Sequence, residues 1–284
     1  MKFNLKIVAS TFLIVVGTLS TFAQTNITDN PLRYTANNKG KFYIYWGGNR
    51  GYYSKSDITF RGEGQEFTLH NVAAQDKPKG WHVDYINPAK MTIPQTNLRV
   101  GYFISNKYNV SLGIDHMKYV MTQNRAVDIS GSYPGAGSYG EQLPNGQVLL
   151  TEKFLTFEHT DGLNYVNAEI NRVDDISKIF GINNTDIVQI NTTYGLGAGV
   201  LYPKTNAQFL SRERHDNFHI SGWGASAKVG LNVTFLKYFF VQVEAKGGYI
   251  NMPNIYITED NSWKAKQDFN FVQIPIVFGG IFRL

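Results

Sequence analysis

The chain has 284 residues, 27 basic against 22 acidic, with no cysteine, 17 tyrosines, 19 phenylalanines, 27 glycines and only 17% charged residues. Without cysteine there are no disulfides, no thiolate metal site, no cysteine nucleophile and no lipid anchor through an N-terminal cysteine. A net charge of +5 with no basic run gives no grounds for nucleic acid as a partner.

At the N-terminus, Lys2 and Lys6 precede a mostly apolar stretch, 7–19, and Thr21-Phe22-Ala23 supplies small residues for a signal peptidase. This layout predicts a secretory signal over 1–23, cleaved after Ala23. The apolar stretch is shorter than the roughly 20 residues of a membrane-spanning helix. Loss of Lys2 and Lys6 lowers the net charge to +3. Residues 24–40 then form a short N-terminal periplasmic segment ahead of a barrel over 41–284.

Beyond residue 23 no apolar run could span a bilayer as a helix. Eight segments instead alternate with period two. Outward-facing residues are Phe42, Ile44 and Trp46 in 41–54, and Leu98, Val100, Tyr102 and Ile104 in 97–105. Next come Val110, Leu112 and Ile114 in 108–124, and Val166, Ala168 and Ile170 in 149–172. Ile190, Leu196, Ala198 and Val200 lie in 187–205, and Val229, Leu231, Val233 and Phe235 in 217–236. Val241, Val243 and Ala245 follow in 238–257, then Val272, Ile274, Ile276, Phe278 and Phe282 in 269–284. Charged residues alternating with β-branched ones suit a strand with lipid outside and a polar lumen inside. The fold class predicted is all-β: a membrane-spanning, antiparallel, up-and-down β-barrel of about eight strands.

Tight turns at Asn106-Lys107 and Leu236-Lys237, with a moderate link at 174–186, alternate with long connections at 55–96, 125–148, 206–216 and 258–268. Short turns on the periplasmic side and long loops outside put both termini in the periplasm of a bacterial outer membrane. A hairpin within 55–96, pairing Ile58 to Phe60 with Phe67 to Leu69, would raise the count to ten. The last segment, with Phe278, Gly280, Phe282 and Leu284, resembles the C-terminal strand recognised by bacterial barrel-assembly machinery, with Leu284 where a final Phe is usual.

The inward set includes Arg99, Asp115, Glu169, Lys228, Glu244, Lys246 and Arg283, with Tyr165, Asn167, Asn232, Gln242 and Gln273. An eight-stranded barrel is just wide enough for side chains to fill. Charges confined there must pair, which predicts a lumen plugged by an ionic network. The same residues could line a narrow, porin-like path for small solutes.

One polar constellation near the outer leaflet is a candidate for chemistry. The register of Val166, Ala168 and Ile170 places His159 and Asp161 in the lumen beside Tyr165, unless a bulge at Asp161-Gly162 intervenes. Gly195, Gly197 and Gly199 point inward and leave space, or accept aromatics such as Tyr43 and Tyr45. A histidine near a carboxylate there is a candidate general base on a lipid ester. The Gly-x-Gly-x-Gly spacing has no strand–turn–helix context, so it predicts no dinucleotide site. His215-x-x-x-His219 suits zinc only on a helix, and 206–216 reads as a loop. No cofactor and no metal are predicted.

Lys41-Phe42-Tyr43-Ile44-Tyr45-Trp46-Gly47-Gly48-Asn49-Arg50, Asp115-His116-Met117-Lys118-Tyr119 and the stretch 158–165 resemble a Bacteroidetes outer-membrane β-barrel family. The resemblance covers nearly all the mature chain and implies fold and location, but no reaction. The layout is also loosely similar to eight-stranded barrels of the OmpA and OmpW type. His159-Thr160-Asp161-Gly162 faintly resembles the His-x-Ser-Asn stretch of a lipid A deacylase family, although the Ser is missing. Three functions follow. The first is a structural or interaction barrel acting through long loops. The others are a narrow channel and a lipid-directed hydrolase at His159. The partners expected are outer-membrane lipid and lipopolysaccharide, the assembly machinery, and envelope proteins.

Overall fold

The computed structural model describes residues 33–78, 94–212 and 217–284. The expected signal over 1–23, and also His82 and His215, lie outside those residues. The strands in chain order are β1 Lys41–Tyr53, β2 Ser56–Gly62, β3 Gln65–Val72, β4 Ala74–Gln75, β5 Thr96–Phe103, β6 Tyr108–Met121, β7 Ala126–Gly131, β8 Gln147–Leu149, β9 Leu155–Asp175, β10 Val188–Leu201, β11 Asn206–Phe209, β12 Gly222–Phe235, β13 Phe239–Tyr256 and β14 Trp263–Arg283.

Eight of these close a ring in the order β1-β5-β6-β9-β10-β12-β13-β14, with β14 pairing back to β1, and every pair is antiparallel. Each ring member coincides with one alternating segment of the sequence. Closure leaves no strand edge in the ring, the condition a sheet must meet to cross hydrocarbon. Leu112, Leu196, Ile170, Ile276 and Phe278 are between 51% and 70% exposed on the outer wall, where only a lipid environment accommodates them. The fold is a membrane-spanning up-and-down β-barrel of eight strands.

The hairpin in the first long connection is present, but it does not enlarge the ring. β1 holds β14 continuously from Lys41↔Arg283 to Tyr53↔Phe271, so two extra strands cannot enter there. The hairpin instead joins β14 above that point, from Gln267↔Ile58 to Trp263↔Gly62, and continues the sheet through β3 to β7 and β8. The ten-strand alternative is thereby corrected to eight. The other long connections also contain strands: β7 and β8 fall in 125–148, β11 in 206–216 pairs with β9, and β14 begins at Trp263 inside the expected 258–268 loop.

A change of hydrophobic phase explains these longer strands. On β14, Ile274, Ile276 and Phe278 are exposed at even positions, while Trp263, Ala265, Phe269 and Phe271 are buried at odd positions. The even positions above Val272, namely Lys264, Lys266, Asp268 and Asn270, are exposed and polar. Side chains on one strand keep their faces, so the apolar set moves from outside to inside near Val272. β6 changes between Leu112 and Met117, β9 between Val166 and Leu163, and β13 between Val243 and Ile250. Below the change the outer solvent is hydrocarbon; above it the outer solvent is water. The upper inner faces therefore pack a core of the kind found in soluble proteins, closed by Phe60 and Phe67 of the hairpin, Phe154, Phe157 and Phe209. Ring centroids lie 4.9 Å apart for Phe60–Phe67 and for Phe209–Trp263.

Candidate functional site

Between the turn end and this apolar cap, the lumen holds three carboxylates and three cations. Glu169 lies 3.0 Å from Arg99, 2.8 Å from Lys228 and 2.7 Å from Lys246. Lys228 also reaches Glu244 at 2.8 Å, and Lys246 pairs with Asp115. All six side chains are at most 6% exposed. Neutral groups supply further hydrogen bonds. Asn97 and Asn167 donate to Asp115 at 2.6 and 2.9 Å, Gln242 donates to Glu244 at 2.5 Å, and Arg99 donates to the Tyr45 hydroxyl at 3.0 Å. The formal charges sum to zero, so the cluster has no net charge to desolvate. That is the arrangement in which buried ions are tolerable.

Six of the seven network residues named from the sequence are brought together here. Arg283 is not. It is exposed beyond the end of the lumen, where it donates to the carbonyls of Asn37 and Lys39 at 3.2 and 2.9 Å. Its inward position in the alternation was counted past the rim, where the strand ends in water. It clamps the segment before β1, which folds across the turn end. Thr35 hydrogen bonds to Asp186 at 2.9 Å, and Lys41 donates to the Tyr34 carbonyl at 2.7 Å. Just inside, Tyr43, Tyr45, Phe103, Phe240 and Val277 pack as a second apolar cluster. Two cavities of about 50 and 40 Å³ share Phe103, Val173 and Ile281 between this cluster and the rim.

The inward glycines of β10 serve the network and not the aromatics. A Cβ at Gly195 would strike Asn171 at 2.1 Å and crowd Lys228, and one at Gly197 would lie 2.8 Å from the Glu169 side chain. Tyr43 and Tyr45 pack elsewhere, against Phe240.

The proposed pair of His159 and Asp161 is separated. β9 pairs with β6 at Leu163↔Met117 and next at His159↔Tyr119, which leaves two extra residues on β9. Gly162 takes φ of 144° in that bulge. Two extra residues keep His159 inward but loop Asp161 out to solvent, where Lys204 lies 3.6 Å away. His159 is enclosed. Its Nδ1 meets the Thr205 hydroxyl at 2.9 Å, and the rings of Phe157 and Tyr119 lie 5.0 and 5.6 Å from its own. Gln267 donates to the Tyr119 hydroxyl at 2.6 Å and to Ser56 at 2.9 Å, completing a polar island within the apolar cap. His159 is 0% exposed, so a lipid ester could reach it only by opening the apolar cap. Among the described residues, no group of three or more His, Asp or Glu could hold a metal ion.

The loop surface carries its own constellation, which the sequence did not disclose. His70 lies between Asp57 and Ser130, at 2.9 and 2.8 Å, on the solvent side of β2, β3 and β7. Its three members come from segments 13 and 60 residues apart, so no local spacing marks them. At the turn between β2 and β3, the Arg212 guanidinium hydrogen bonds to Glu63 at 2.8 Å and holds that carboxyl below its usual range.

No protein-family model matches the chain, and no curated protein matches it in sequence. Among solved structures it is similar to the outer membrane protein OprG of Pseudomonas aeruginosa, at 12% identity and a TM-score of 0.38, covering 88% of this chain and 99% of that one. The attachment invasion locus protein Ail of Yersinia pestis matches at 11% identity and a TM-score of 0.34, over 86% and 99% of the two chains. Neisserial surface protein A matches at 8% identity and a TM-score of 0.33, over 85% and 99%. At such distances no activity, substrate or partner passes from them to this chain.

Proposed function

We propose that this chain is a bacterial outer-membrane barrel that acts through its loop sheet, as a structural or interaction protein, and that its lumen is closed. The observation supporting this reading is the neutral cluster of Arg99, Lys228 and Lys246 with Asp115, Glu169 and Glu244, stacked between two apolar layers. An ion moving along the axis would have to displace buried aromatic side chains and break matched ion pairs. The cavities near the turn end have room for about a few waters and no more. Lipid and lipopolysaccharide would surround the apolar belt, the assembly machinery would insert the strands, and envelope proteins would meet the loops. Short turns at the end where β1 begins and β14 stops favour a periplasmic position for that end.

Planar-bilayer recording tests the closed lumen. The purified barrel is expected to give no stepwise conductance. Steady, ohmic steps that scale with protein added would establish the channel reading in its place.

A further inference from the structure

The hydrogen-bonded line Asp57–His70–Ser130 has an order that matters chemically. Asp57 Oδ2 lies 2.9 Å from Nδ1 of His70, while Nε2 lies 2.8 Å from the Ser130 hydroxyl. A carboxylate accepts only, so it fixes the imidazole proton on Nδ1 and leaves the Nε2 lone pair for the serine proton. The backbone is adapted to this. β2 and β3 pair at Ile58↔Leu69 and then at Ser56↔Val72, so β3 carries one extra residue. Asn71, in that bulge, takes φ of 55°, and its N–H donates to Asp57 Oδ1 at 2.8 Å. Bulges of this kind re-aim side chains. Partial burial works upward on the Asp57 carboxyl, but the Asn71 N–H and His70 outweigh it and hold it below its usual range. From the other side, Ser130 stands opposite Thr68 in the β3–β7 ladder, diagonal to His70. Asp57, Ser130 and the neighbouring Lys264 and Lys266 of β14 are all exposed.

We propose that Ser130 is an activated nucleophile, with His70 as its general base and Asp57 as the group that orients it, for acyl transfer from carboxylic esters. Ser130 Oγ bonds to the ester carbonyl carbon as its proton passes to His70 Nε2. The ester C–O bond then breaks, and the alcohol leaves with that proton. Water, deprotonated by the same nitrogen, attacks the acyl-serine; the carboxylic acid departs and Ser130 regains its proton. Asp57 stays ionised throughout. The site is on the outer face of the sheet, so it stands whether or not the barrel conducts.

A fluorophosphonate probe reads nucleophile activation directly, since serine displaces fluoride only when its proton is removed. With the full-length folded protein in detergent, peptide mass spectrometry is expected to find the label on Ser130. Ser130→Ala abolishes it, and His70→Ala slows it by about 100-fold or more, the usual scale of general-base assistance. A heat-modifiability gel run on each variant shows that the barrel remains folded. Label absent from Ser130, or unchanged in folded His70→Ala, would overturn the proposal, because a line that merely braces three strands leaves the serine unactivated. Hydrolysis of 4-nitrophenyl acetate should be lost in Ser130→Ala and His70→Ala; turnover unchanged in both folded variants would overturn the proposal.

Discussion

Glu169 shows most sharply what a single lumen residue does. It is the one carboxylate within 3.0 Å of Arg99, Lys228 and Lys246 together. Glu169→Gln preserves the shape and leaves three cations facing two carboxylates. Breaking a buried pair in this way typically destabilises by about 3–5 kcal/mol. Urea titration of the folded band on unheated gels should show a loss on that scale. Asp161→Ala removes a solvated carboxylate and is expected to stay within about 0.5 kcal/mol. Equal stability of the two variants would mean that the lumen is hydrated and the network screened. The pairing of these residues was legible in the sequence because inward acids and bases in a narrow barrel have few choices. The inward face of His159 was legible too, but the turn of Asp161 to solvent was only an alternative, because Gly162 marks a bulge without saying how many residues it inserts.

At the scale of elements, the upper wall depends on aromatic packing. The hairpin of β2 and β3 pairs its backbone with the ring through five residue pairs on β14, and its inner face contributes Ile58, Phe60, Phe67 and Leu69 to the cap. Phe67, 1% exposed, packs against Phe60, Phe154, Phe209, Tyr133 and Trp263. Phe67→Ala opens a cavity of the kind that costs about 3–5 kcal/mol. The hairpin should then become cleavable by trypsin at Lys55 and Arg61 while the eight-stranded ring keeps its heat-modifiable mobility. Simultaneous loss of both would show that cap and ring form one cooperative unit. The hairpin itself could be read from the alternation of Ile58 and Phe60 with Phe67 and Leu69. Its docking on β14 could not, since that pairing joins residues some 200 positions apart.

For the whole molecule, the change of phase near Val272 and its counterparts on β6, β9 and β13 draws the boundary between hydrocarbon and water. Leu112, 70% exposed, lies well inside the belt, and Asp268, on the outer face of β14, lies above it. An arginine at the bilayer midplane destabilises a barrel by about 2–4 kcal/mol, falling to about 0–1 near the interface. Leu112→Arg should therefore depress folding into lipid vesicles strongly, and Asp268→Arg should leave it nearly unchanged. The reverse order would place the boundary elsewhere.

The eight alternating segments, their lipid-facing residues and six of the lumen charges were determined by the sequence alone, because period-two alternation and confinement of charge are local rules. That the hairpin stays out of the ring, and that Arg283 stays out of the network, took the pairing of β1 with β14. Where strands outlast the membrane, the same alternation continues with its meaning inverted, so Trp263 read as loop and the upper core as polar interior. Only the tertiary structure decided which segments meet above the boundary. It enclosed His159 and turned Asp161 to solvent, and it brought Asp57, His70 and Ser130 into line, since contacts between distant strands depend on register and bulges that no single stretch encodes.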